Sequence, residues 1–138
     1  MTSTGVLNPG AKIASWVCQI VAAAILGQTL FFKFTGAEES VYIFSVLGLE
    51  PWGRILTGCA ELVAALLLLF PRTAATGAVL AMGLMAGALF SHLTKLGIEV
   101  KGDHGLLFGL ATVVLLAAAL VAFVRRHQLP LVGSLIRS

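Results

Sequence analysis

Four long apolar runs, at residues 13–34, 51–70, 72–93 and 104–124, fill most of the chain, and the charged residues gather between and beside them. Each run has ~20 or more residues. At ~1.5 Å rise per residue, that length crosses a hydrocarbon core about 30 Å thick. The runs are continuous and lack the apolar–polar alternation over about ten residues that marks a barrel strand. The pattern predicts an all-α polytopic membrane protein, a bundle of four transmembrane helices in one domain over residues 13–124. Residues 1–12, with Pro9 and Gly10, are expected to form a disordered lead, and residues 125–138 a cytoplasmic interfacial tail. The first run is too long, and too poor in preceding positive charge, for a cleavable signal peptide.

The connections carry their own signals. Thr35-Gly36-Ala37-Glu38 has capping-box spacing and precedes Ser40-Val41-Tyr42-Ile43-Phe44-Ser45-Val46-Leu47. This predicts a short interfacial helix between the first and second spans, ended by Gly48. Phe70-Pro71-Arg72 reads as a minimal turn, and Asp103 as the N-cap of the fourth helix. Gly83-x-x-x-Gly87 and Gly105-x-x-x-Gly109 permit close helix approach, within the chain or in a homodimer. Leu30-Phe31-Phe32-Lys33-Phe34-Thr35 is echoed by Leu89-Phe90-Ser91-His92-Leu93-Thr94, through duplication of a hairpin or by chance.

Composition agrees with this pattern. Of 138 residues, 59% are hydrophobic and 11% charged, against about a quarter charged in soluble proteins, which leaves no room for a soluble domain. The net charge of +3 does not point to nucleic acid, because basic residues beside spans act as topology signals and lipid-headgroup partners. Lys12, Arg72, Arg125, Arg126 and Arg137 slightly outweigh Lys33, Arg54, Lys95 and Lys101, which places both termini in the cytoplasm. Trp16 and Trp52 then fall at opposite interfaces. Cys18 and Cys59 form no Cys-x-x-Cys pair, so a thiol–disulfide relay is not expected.

One carboxylate breaks the apolar pattern. Glu61 falls roughly 13 Å below the Trp52 end of the second span, near the bilayer centre, where an ionised carboxylate costs several kcal/mol unless paired, wetted or protonated. Arg54, Gly58, Glu61 and Ala65 share one helix face. Arg54 is about 10 Å away along the axis, however, and its side chain points back towards the helix N-terminus. Lys33 or His92, from a neighbouring helix, is the better partner. Lys33, Arg54, His92 and His104 all lie at the non-cytoplasmic ends of their spans, whereas the cytoplasmic halves hold almost nothing polar. This asymmetry predicts a polar vestibule opening outward, with Glu61 at its floor. Glu61 and Lys33 are the catalytic candidates; Arg54, His92, His104 and Trp52 are the ligand-binding candidates. Glu61 could equally lock helix register, and Lys33 and Arg54 could be snorkelling anchors. The histidines lack the spacing of a helical ligand pair, so no metal site is expected.

Phe31-Phe32-Lys33-Phe34-Thr35-Gly36, Leu47-Gly48-Leu49-Glu50-Pro51-Trp52, Gly58-Cys59-Ala60-Glu61-Leu62 and the leucine run to Pro71-Arg72 resemble the DoxX and DoxX-like membrane proteins. His92 after Ala88-Leu89-Phe90 extends the resemblance, which covers about residues 20–125. Ala64-Ala65 departs from the glycines that many members carry there. The resemblance implies a four-helix protein of the bacterial inner membrane, with Lys33 and Glu61 at the family's charged positions. Relatives include the DoxD subunit of thiosulfate:quinone oxidoreductase. The expectation is a subunit or accessory of a redox system that binds a quinone or similar lipophilic carrier. No flavin, haem or metal motif is present, so a soluble or membrane redox partner would supply electrons. Whether the chain itself catalyses is left open. The alternatives are a non-enzymatic binding or transport module for a small lipophilic or anionic ligand, and a membrane scaffold that recruits a soluble enzyme.

Overall fold

The structure, a computed structural model, describes residues 8–129. Helix α1 (Pro9–Thr35) starts earlier than its apolar run. The Asn8 side chain accepts from the Ala11 N–H at 2.7 Å, and Pro9 occupies the first helical position, where its missing N–H costs nothing. The lead expected over residues 1–12 is therefore helical from Pro9 onward; residues 1–7 lie outside the described residues. At its other end α1 closes on Gly36 (φ 69°), with Ala37 N–H reaching the Phe32 carbonyl at 3.0 Å.

The expected capping box does not form. The Thr35 hydroxyl turns back to the Phe31 carbonyl at 2.8 Å, inside α1. The short helix itself is present as α2 (Glu38–Val46), which starts without a side-chain cap and stops before Gly48 (φ 73°). Helix α3 (Trp52–Leu69) and helix α4 (Ala74–Ser91) follow. The turn between them extends to Thr73, whose hydroxyl satisfies the Leu67 carbonyl at 2.8 Å, so α4 begins after Arg72. A π-helical turn (His92–Leu96) prolongs α4.

Helix α5 (Leu106–Val124) begins two residues after His104, because Lys101, Gly102, His104 and Gly105 all take positive φ. Asp103 still caps it from outside: Oδ1 accepts from Gly105 N–H at 2.8 Å and Oδ2 from Leu107 N–H at 3.1 Å.

The long helices form a ring in which α1 packs on α3 and α5, and α4 packs on the same two. Alanines dominate the buried core: Ala22, Ala64, Ala78, Ala81 and Ala118 interleave with Leu26, Leu68, Val114 and Val121. Ile13, Leu56, Leu116 and Phe123 instead face outward. That arrangement of small residues inside and large apolar ones outside suits lipid rather than water. Among the described residues four helices, Pro9–Thr35, Trp52–Leu69, Ala74–Leu96 and Leu106–Val124, are long and apolar enough to cross a membrane. The fold is an all-α four-helix bundle of multi-pass membrane character.

Candidate functional site

A packed cluster of small residues occupies the half of the bundle remote from α2, and the half beside α2 is hollow. A cavity of about 690 Å³ opens there, lined by α1, α2, α3, α4, the π turn and α5. Most of its wall is apolar, including Leu26, Ile43, Phe44, Leu84 and Leu110, and its charged or titratable lining residues are Lys33, Glu39, Glu61 and His92. A few convergent polar groups in an apolar chamber of this size are the usual make-up of a small-molecule site.

Glu61 is set in the wall by its place on the inner face of α3, with its side chain 3% exposed. Lys33 Nζ, from the last turn of α1, stands 2.9 Å from Glu61 Oε1. The contact is a close ion pair, within hydrogen-bonding reach of the ammonium. Gly58, one turn from Glu61, lets α1 come close: a Cβ there would lie 2.8 Å from the Phe34 ring.

His92 is 5% exposed and starts the π turn. Its Nδ1 lies 2.9 Å from the Gly97 carbonyl. A carbonyl can only accept, so Nδ1 carries the proton, and in a neutral ring Nε2 is then an acceptor. The Phe108 ring meets the imidazole edge-on at 5.6 Å. Gln28, Thr29, Ser40, Thr57 and Ser91 also line the chamber. Sequence reasoning missed them because hydroxyls and amides scarcely interrupt an apolar run; their spacing towards the inner faces is the only signal they give.

The other ligand-binding candidates stand elsewhere. Arg54 binds Glu50 through Nε (2.9 and 3.0 Å) and Nη2 (2.9 Å), and its Nη1 donates to the Lys33 carbonyl. It thus clamps the end of α1 that presents Lys33, without lining the cavity. Trp52 is 70% exposed. His104 is also exposed, 3.4 Å from Glu99.

Asp103, in the connection beyond His92, is drawn two ways. Burial pushes its carboxyl up, but backbone N–H groups of Val100, Leu107 and Gly105, with His92 nearby, outweigh that and hold it below the usual carboxylate range.

The expectation that the opposite half of the spans is nearly free of polar groups is overturned. Arg125, 5% exposed, donates through Nε to Ser15 Oγ (2.8 Å) and Gln19 Oε1 (3.0 Å), and through Nη1 to the Pro71 carbonyl (3.3 Å). Its guanidinium lies 5.9 Å from the Trp16 ring centre. Gln19 in turn donates to the Leu68 carbonyl at 2.7 Å. Gln128, in a 3-10 turn (Arg126–Gln128), bridges the Pro71 carbonyl and the Ala75 N–H. The first residues of the expected interfacial tail are thus bound into the bundle, and residues 130–138 lie outside the described residues. Ser15 and Gln19, four apart on one face of α1, are the sequence signal for this cluster.

The Gly-x-x-x-Gly expectation also changes. A Cβ on Gly83, Gly87 or Gly109 would meet nothing within 4 Å. The close approach belongs to Gly77, where a Cβ would lie 2.7 Å from Leu67 Cβ and 2.8 Å from the Leu68 nitrogen.

The site thus belongs to a helical bundle of multi-pass membrane character, with the Lys33–Glu61 contact at the wall of an apolar chamber. Comparison with protein-family models, curated proteins and solved structures finds no match to this chain.

Proposed function

We propose that the protein is an integral component of a bacterial inner-membrane redox system, a subunit or accessory that holds a quinone-like carrier in the chamber beside α2. The observation that carries this reading is the Lys33–Glu61 pair, 2.9 Å apart with the carboxylate side chain 3% exposed, at the wall of a large apolar cavity. Charged groups buried within a membrane span are costly and mark functional sites by default.

The residues present fit such a group. Lys33 Nζ is a donor for a carbonyl oxygen, Glu61 Oε1 an acceptor for a hydroxyl, and His92 Nε2 a second acceptor; the apolar wall suits a ring and its substituents. When bound, a quinone supplies the capacity to take up two electrons with two protons at its ring oxygens. Lys33 holds a positive charge that polarises an oxygen within reach. Glu61 holds or releases a proton according to whether Lys33 is engaged with it or with the ligand. Arg54 fixes the backbone that carries Lys33, and the lining leucines exclude water. A soluble or membrane partner provides the electrons. In this reading both termini lie in the cytoplasm.

The test begins with the detergent-extracted protein. An ultraviolet spectrum and mass spectrum of its organic extract should show a quinone in near-equal amount to the protein. Glu61→Gln and Lys33→Met should each weaken rebinding by about tenfold or more, the worth of about 1.4 kcal/mol. An extract without quinone, together with no binding of added quinone, would sink the proposal.

A further inference from the structure

The helix face presented by Gly83 and Gly87 has no packing role within the chain, although it lies in the middle of a membrane span. Both glycines line the chamber, and both are exposed. Their exposure, with no atom within 4 Å of a Cβ at either position, leaves a gap in this side of the wall, one mouth beside the exposed lining at Gln28, Phe32, Leu49 and Leu106. Since α4 with its π turn spans Ala74–Leu96, that mouth opens through the side of the bundle at the level of the apolar span. Added side chains at either position would meet open space, in contrast to Gly77 on the same helix.

The chamber is polarised along α4. His92 and Ser91 mark one end; Gly87 lies about 7 Å and Gly83 about 13 Å further towards the middle of the span at ~1.5 Å per residue. Leu84 and Ala88 complete this wall, and nothing polar lies between Gly83 and Ala88. A molecule with its oxygen-bearing head at Lys33, Glu61 and His92 would direct its remainder along this strip. The polar end of the chamber, where the buried Lys33–Glu61 pair and His92 line the wall, is the independent sign of where a ligand head sits.

We infer that the mouth over Gly83 and Gly87 is where the hydrocarbon chain of an amphiphilic ligand passes out of the chamber, so that the site loads from the lipid phase and not from water. This inference rests on the reading that the chamber holds a lipophilic carrier, and it adds the requirement for a chain. Glycine suits the position because the bare backbone gives a chain room to lie across the helix, whereas any larger side chain narrows the opening.

Two probes separate the ideas: decylubiquinone, which has a long alkyl chain, and duroquinone, which has none. In the full-length protein in lipid nanodiscs, Gly83→Leu and Gly87→Leu should each weaken decylubiquinone binding by about tenfold. Duroquinone binding should stay within about twofold of the parent value. Equal loss of both probes would make the glycines general wall residues and overturn the inference, as would unchanged decylubiquinone binding, while the carrier-binding reading would stand in either case. If the parent protein binds neither probe, that reading falls and the inference with it. Should a leucine variant fail to fold, Gly83→Ala and Gly87→Ala carry the same comparison, with the chain-bearing probe alone expected to weaken.

Discussion

Two polar clusters lie at opposite ends of one bundle and solve the same problem in different ways. Around Arg125, a cation taken out of solvent is surrounded by oxygen acceptors from the chain itself: Ser15, Gln19 and the Pro71 carbonyl. Those acceptors come from α1 and the α3–α4 turn, so the guanidinium, at the end of α5, ties three elements together. None of its residues lines the chamber. Around Glu61, the carboxylate has Lys33 as its charge partner at 2.9 Å, and the pair faces a large cavity. Each cluster keeps one buried atom without a well-aligned hydrogen bond, Arg125 Nη2 in the first and Glu61 Oε1 in the second. What separates them is surroundings: the first is bound by the chain's own oxygens away from the chamber, as a structural network is, whereas the second opens on a space that can take a ligand.

The largest effect is expected where this contrast is sharpest. Arg125→Ala removes a charged donor from at least three acceptors and should destabilise the bundle by about 3 kcal/mol, from the worth of hydrogen bonds to charged groups. Glu61→Gln keeps the shape of its side chain and removes a charge that has a single ionic partner; it should change stability by less than about 1 kcal/mol while damaging ligand binding. Thermal or denaturant unfolding in detergent measures both. Equal destabilisation by the two variants would show that Glu61 is also a register lock and would erase the distinction.

Much of this was legible in sequence, and the losses have physical causes. The number of spans follows from continuous apolar runs, which lipid demands of any spanning helix. The starts of α1, α4 and α5 differ from the apolar runs by two to four residues, because Asn8 caps α1 ahead of its run, the turn closed by Thr73 delays α4, and positive φ at His104 and Gly105 delays α5. Lys33 was foreseen as a Glu61 partner because a lone carboxylate in an apolar span needs a cation. Arg125 was misread: beside Arg126 at the end of a span it has the pattern of a headgroup anchor, and only Ser15 and Gln19 disclose that it turns inward.

The glycines give a second way to press the comparison between closed and open regions. Gly77→Ala would drive a methyl against the backbone of α3, 2.8 Å from the Leu68 nitrogen and 3.0 Å from the Ala64 carbonyl. Backbone cannot step aside, so the two helices must part, at a cost of about 2 kcal/mol. Gly83→Ala on the same helix meets nothing and should stabilise by roughly 0.5–1 kcal/mol through the better helix propensity of alanine. Opposite signs from one substitution, six residues apart, would confirm that the solid half ends between them. The same sign at both positions would argue that the chamber closes up in the membrane. Spacing alone could not distinguish these glycines, because it says which residues share a face and not whether a neighbour occupies it.

The smallest predicted effect concerns Asp103, which caps α5 beside the chamber. Its carboxyl sits below the ordinary value in the folded protein, so the folded state holds the charged form more tightly than the unfolded chain does. The stabilisation is then fully present above the unfolded aspartate value of about 4. It is lost as pH falls below that value through the lower, folded one. Asp103→Asn keeps an acceptor for Val100 and Gly105 but replaces the oxygen that receives Leu107 N–H. At neutral pH it should cost about 1 kcal/mol, the usual worth of a helix cap. As pH falls through the folded value the parent loses its advantage, and the gap between parent and variant should shrink towards zero. A gap that stayed constant with pH would mean that the cap works as a neutral acceptor, and that the charge of Asp103 adds nothing to the closure of this end of the bundle.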